Sequence, residues 1–165
     1  MMAIPTLFIS TLDHHRFYLY INQGSGQFAE EAIERGTALE VEDPLHRGYS
    51  IAVGDYDKDL YPDFYVTSIF DNPGLPQPPG YTGNRLYRNN PNSSVFDELS
   101  SQLEIRNGGF GWGTAFFDAD NDADLDLIAT NGIFTYGPEL PEPTRFWINQ
   151  NAAFQEASEG FGITD

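Results

Sequence analysis

The sequence predicts an all-β fold built of repeated units, and three observations predict it. The acidic pattern D-x-D-x-D-x-x-x-D occurs twice, as DYDKDLYPD at residues 55–63 and DADNDADLD at residues 118–126. Each copy lies between β-type runs. These are YSIAVG (49–54) and FYVTSI (64–69) for the first, and WGTAFF (112–117) and LDLIAT (125–130) for the second. Gly (16) and Pro (11) are frequent in a chain of 165 residues, which favours turns over long helices.

Residues 1–47 read as a unit that lacks its front. Leu7–Thr11 fits a strand that follows an acidic loop, Leu19–Gln23 a third strand ending in Asn22-Gln23, and Phe28-Ala29-Glu30 a fourth. Glu30–Arg35, before Gly36, reads as a short helical turn. Residues 48–110 form a complete unit. Gly48–Val53 gives strand one, 55–63 the loop and Asp63–Thr67 strand two. A Pro/Gly-rich insert (71–83) follows, then Arg85-Leu86-Tyr87-Arg88-Asn89 and Phe96-Asp97-Glu98. Residues 111–165 repeat it: Gly111–Phe116, the loop 118–126, Asp126–Thr130, an insert (132–143), Arg145-Phe146-Trp147-Ile148-Asn149, and Phe154-Gln155-Glu156. Strands one and two are almost continuously apolar, as for strands buried on both faces. That pattern suits the inner strands of a propeller blade stacked between neighbours. The expectation is a partial β-propeller of about 2.6 four-stranded antiparallel blades (from the strand pattern).

Charge narrows the function. The formal charge is −17, with eight Lys and Arg in all. Such a surface repels nucleic acid and anionic membranes. There is no Cys, so there is neither a disulfide framework nor thiolate chemistry. MMAIPTLFIST lacks the basic region and long apolar stretch of a signal peptide. No apolar run approaches the roughly 20 residues of a membrane span.

The two loops carry the chemistry. Carboxylates at alternating positions of a tight turn repel one another unless a cation lies among them, and hard oxygen ligands select calcium. Two such loops imply two structural Ca²⁺ ions and an effective charge of −13. Solvated acidic turns are the plainer alternative. An EF-hand needs flanking helices, Gly at loop position 6 and Glu at position 12, whereas position 12 here is Val66 or Ala129. His14-His15 could bind a transition metal but reads better as an exposed turn, and His46 stands alone. Glu30, Glu98 and Glu156 recur at one repeat position, which argues a structural role over a glycosidase carboxylate pair. No Ser-His-Asp grouping, P-loop or G-x-G-x-x-G is present. The chain reads as a non-enzyme.

Strand, D-x-D-x-D-x-x-x-D, strand, N-R-L-Y-R-N-N and F-x-E together resemble the FG-GAP (VCBS) repeat of integrin α propellers. The stretches Gly48–Val66 and Phe110–Thr130 are closest to the cartilage acidic protein and ASPIC/UnbV type. The resemblance implies one calcium site at Asp55, Asp57, Asp59, the Tyr61 carbonyl and Asp63. It implies a second at Asp118, Asp120, Asp122, the Asp124 carbonyl and Asp126. The family has Gly at position 6, where this chain has Leu60 and Ala123, and Pro62 removes an amide donor. Trp112, Trp147, Tyr87 and Phe116 are expected to pack between blades. Tyr81, Phe134 and Tyr136, in the inserts, are expected on the face opposite the metal loops, where integrins carry ligand. The resemblance implies an extracellular or cell-surface binding and adhesion module, with a protein or glycan ligand. Further repeats or self-association would cover the blade faces. A polysaccharide hydrolase or lyase, or a purely architectural fragment, is the alternative.

Overall fold

The computed structural model describes residues 6–11, 16–38, 48–68, 83–106, 109–132 and 143–163. Among them there is no helix. Eleven strands form three antiparallel sheets in chain order, none of them closed. The first sheet has three strands, β1 (Thr6–Ile9), β2 (Tyr18–Gly24) and β3 (Gln27–Glu30). The second has β4 (Ile51–Gly54), β5 (Asp63–Val66), β6 (Arg85–Arg88) and β7 (Asp97–Glu98). The third has β8 (Gly111–Phe117), β9 (Asp126–Asn131), β10 (Arg145–Gln150) and β11 (Ala153–Glu156). Each sheet is a meander, because every connection joins neighbouring antiparallel strands. The acidic loops are the β4–β5 and β8–β9 turns, closed by the pairs Gly54↔Asp63 and Phe117↔Asp126.

The sheets stack through two apolar layers, and β5 shows why Phe64, Tyr65 and Val66 follow one another without a polar break. Strand alternation sends Phe64 and Val66 to one face, where they pack with Phe17, Tyr87 and Phe8 of the first layer. Tyr65 points the other way, into a layer with Leu86, Ile105, Leu127, Ala129 and Trp147. All four β5 residues are buried. Trp147 and Tyr87 lie within these layers, and Phe116 packs against the layer that holds Trp147. Trp112 does not pack inside. It is 46% exposed, lies tilted against Tyr49 with ring centroids 4.9 Å apart, and donates from Nε1 to the Gly132 carbonyl at 2.6 Å. The β8–β9 register shifts between Gly111 and Thr114, and this irregularity breaks the in–out alternation at Trp112.

The recurring glutamates are structural, as their repetition suggested. Each caps the turn after its own strand. The Ala32 amide donates to Glu30 (2.9 Å), the Ser100 amide to Glu98 (2.9 Å) and the Ser158 amide to Glu156 (3.3 Å). Each also faces an arginine: Arg16, Arg106 and Arg145 respectively. The turn that follows contains an i→i−4 bond in all three units: Arg35 to Glu31, Leu103 to Leu99 and Phe161 to Ala157. The turn expected at Glu30–Arg35 therefore exists as one isolated turn, and it recurs.

Successive sheets touch at glycine. The Gly48 amide donates to the Thr11 carbonyl (2.9 Å), and the Gly111 amide to the Ser68 carbonyl (3.1 Å). A Cβ on Gly48 would lie 2.7 Å from Ser10 Cβ, and one on Gly111 would lie 2.8 Å from Thr67 Cβ. Both glycines open the first-strand segment of a unit, so each complete unit joins its predecessor in the same way.

Candidate metal centre

Both loops fold identically around their carboxylates. Asp55 accepts the amides of Asp59 (3.0 Å) and Leu60 (2.9 Å), and Asp118 accepts those of Asp122 and Ala123 (both 3.1 Å). Asp57 accepts the Asp59 amide at 3.3 Å, and Asp120 the Asp122 amide at 3.2 Å. Asp59 takes the Tyr61 amide at 2.9 Å, and Asp122 the Asp124 amide at 2.8 Å. The last aspartate of each loop is fully buried and turns inward. Asp63 accepts the amides of Tyr56 (3.2 Å) and Asn89 (2.8 Å), and Asp126 those of Ala119 (2.8 Å) and Asn149 (2.9 Å). The Asn that ends the third strand thus holds the ninth loop position.

This wrapping requires left-handed backbone at positions 4 and 6. Lys58 and Leu60 have φ of 59° and 72°, and Asn121 and Ala123 have 64° and 69°. Leu60 and Ala123 therefore stand where glycine is least strained, and Leu60 is also 87% exposed. Leu60→Gly should therefore raise the metal-free melting temperature, by up to about 1 kcal/mol of stability. Ala123→Gly should act in the same direction. Thermal melts in chelator check this, and a lower melt for both would mean that the side chains contribute contacts.

The result is two clusters in which carboxylate oxygens of three residues lie within 4.8 Å of one another: Asp55, Asp57 and Asp63, and Asp118, Asp120 and Asp126. Asp59 and Asp122 are outside these triads. Such spacing among like charges, with all-oxygen donors and a buried member in each, fits a divalent cation. Burial is the main reason that the Asp63 carboxyl is pushed up to about 7; the charges of Asp57 and Asp59 add to it, against the Asn89 and Tyr56 amides. An unfolded Asp titrates near 3.9. The stabilisation from a raised carboxyl is complete below about pH 4 and is lost as pH rises through about 7. In chelator, the melting temperature should climb as pH falls from 8 to 5, and Asp63→Asn should flatten that slope. An equal slope in the variant would assign it elsewhere.

Contacts distant in sequence complete the centre. The Asn149 amide group donates to the Tyr56 carbonyl (2.8 Å) and the Leu125 carbonyl (3.1 Å), tying the two loops together. Lys58 forms an ion pair with Asp124 across the same gap, and this pairing is the leading cause that lowers the Asp124 carboxyl. Arg88 forms ion pairs with Asp57 (2.5 Å) and Asp59 (3.3 Å). None of these pairings follows from loop spacing, although aligned positions differ in charge between the units: Lys58 with Asn121, Tyr61 with Asp124 and Arg88 with Ile148. His14, His15, His46, Tyr81, Phe134 and Tyr136 lie outside the described residues. Comparison with models of known protein families and with curated protein sequences finds no match.

Proposed function

We propose that this chain is a calcium-stabilised segment of β-propeller repeats of the FG-GAP/VCBS type, acting as an extracellular binding or adhesion module rather than an enzyme. The observation that carries the reading is the duplicated carboxylate triad, set each time on the turn between the first two strands of a four-stranded meander. In this reading Asp55, Asp57, Asp59, Asp63 and the Tyr61 carbonyl hold one ion. Asp118, Asp120, Asp122, Asp126 and the Asp124 carbonyl hold the other. Calcium neutralises the loop and fixes the hairpin. The meanders are blades, and the two apolar layers are blade interfaces. The outer face of the first sheet, with Leu7 and Phe28 about half exposed, would meet a further repeat or a second copy.

Calorimetric titration of the chain with calcium tests the metal reading. It expects two sites, and saturation at none, or a preference for zinc, overturns it. A screen against glycans and proteins, scored for binding and for turnover, tests the module reading. Turnover without stable binding would reject it.

A further inference from the structure

The two loops are alike in every amide contact described above; they differ in charge at position 4 (Lys58, Asn121), at position 7 (Tyr61, Asp124) and on the strand beside them. The third strands align as Arg85-Leu86-Tyr87-Arg88-Asn89 and Arg145-Phe146-Trp147-Ile148-Asn149. Position four of that strand lies beside the loop. In the third sheet it is Ile148, buried and apolar. In the second it is Arg88, whose Nε donates to Asp57 Oδ2 at 2.5 Å and whose Nη2 donates to Asp59 Oδ2 at 3.3 Å.

We propose that Arg88 is the resident counter-cation of the first loop, so that the two sites fill in order, residues 118–126 before residues 55–63. The inference rests on the metal reading above and concerns how that site is regulated. In the first loop both oxygens of Asp57 are engaged, Oδ1 by the Asp59 amide and Oδ2 by Arg88. Both oxygens of Asp59 are engaged as well, by the Tyr61 amide and Arg88. In the second loop Asp120 and Asp122 each use one oxygen on an amide, and among the described residues no Lys or Arg pairs with either. A planar guanidinium that bridges two carboxylates is a strong partner. The Asp57 and Asp59 side chains are 9% and 17% exposed, so water and salt screen this pair weakly. A divalent ion entering the first loop must displace the guanidinium from its ligands and meet its charge. Lys58 is not an equivalent competitor at the second loop. Its ammonium pairs with the Asp124 side chain, while position 7 contributes a backbone carbonyl, and Lys58 is half exposed. At limiting calcium the second loop holds the ion, and the first is closed by its own arginine.

The test is calorimetric titration of the full chain with calcium chloride, paired with melts in chelator. Two steps are expected. Asp118→Asn should remove the tighter step and Asp55→Asn the weaker one. Arg88→Gln should tighten the weaker step by about tenfold, the effect of withdrawing one nearby positive charge from a divalent ion, and leave the tighter step in place. The same variant should melt lower in chelator, because Asp57 and Asp59 lose their counter-charge. Tighter binding in a less stable chain separates competition from general damage to the fold. Arg88→Lys keeps the charge and should keep the weak step weak. Ile148→Arg should weaken the tighter step. Loss of binding or unchanged affinity in Arg88→Gln, two equal sites in the unmodified chain, or an unaffected tighter step in Ile148→Arg overturns the inference while leaving the metal reading intact. No calcium binding in either loop, with or without Arg88, overturns both.

Discussion

Calcium should raise the melting temperature of this chain, and a chelator should lower it. An ion that binds the folded state alone stabilises by RT ln(1 + [L]/Kd), about 2.7 kcal/mol per site at a hundredfold excess over Kd. For a chain of this size each kcal/mol moves the melting temperature by roughly 2–4 °C. Two filled sites should therefore shift it on the order of 10–20 °C. The triads explain why the effect is large. They bring like charges together on rigid hairpins, each with one carboxylate buried away from water. Replacing Asp118 and Asp120 with Ala should remove the gain from the second loop and keep that of the first at saturating calcium. Magnesium should act less, since it prefers strict octahedral geometry and gives up its waters reluctantly. Scanning calorimetry across a calcium series decides, and a melt indifferent to chelator would leave the triads without a structural metal.

Trp147→Ala should be the most damaging single substitution away from the loops. The indole is 3% exposed and fills the layer shared by the second and third sheets, with Tyr65, Leu86, Ile105 and Leu127. Truncating a buried Trp costs about 3–5 kcal/mol, because the lost burial is compounded by a cavity that the neighbours fill only partly. The melting temperature should fall by roughly 10 °C. Trp147→Phe should cost less. Denaturant titration with intact slope would measure it. A loss below about 1 kcal/mol would mean that the layer collapses around the gap, which its rigid backbone joints oppose.

Much of this fold is legible in the residues, because the signals are local. Alternating aspartates, the Asn at each third strand's end and the F-x-E glutamates lie within short windows, and the strands stand where those windows place them. The need for left-handed backbone at Leu60 and Ala123 is likewise a property of the loop itself. What escaped the sequence depends on partners far along the chain. Arg88 meets Asp57 across 31 positions, and Asn149 reaches Tyr56 across 93. Trp112 has the composition of a core residue, but a register shift turns it outward. The turns after Glu98 and Glu156 were hidden for another reason. They carry no apolar period, only a glutamate that accepts the amide of a small residue two positions on.

The glycine contacts between successive sheets set a gauge. At Gly48 and Gly111 neighbouring sheets meet through backbone hydrogen bonds, and a Cβ would lie 2.7 Å from the Ser10 side chain at the first and 2.8 Å from the Thr67 side chain at the second. The layers on either side are filled differently, one by Phe8, Phe17, Phe64 and Tyr87, the other by a mixture of Leu, Ala, Tyr and Trp. A side chain in either layer can therefore change volume at the cost of local packing, while the distance from sheet to sheet stays the same. A methyl group added at either glycine would instead pry the sheets apart and carry every element beyond that point with it. The two joints therefore constrain the sequence as firmly as the filled layers do, although the glycines themselves bury no side chain at all.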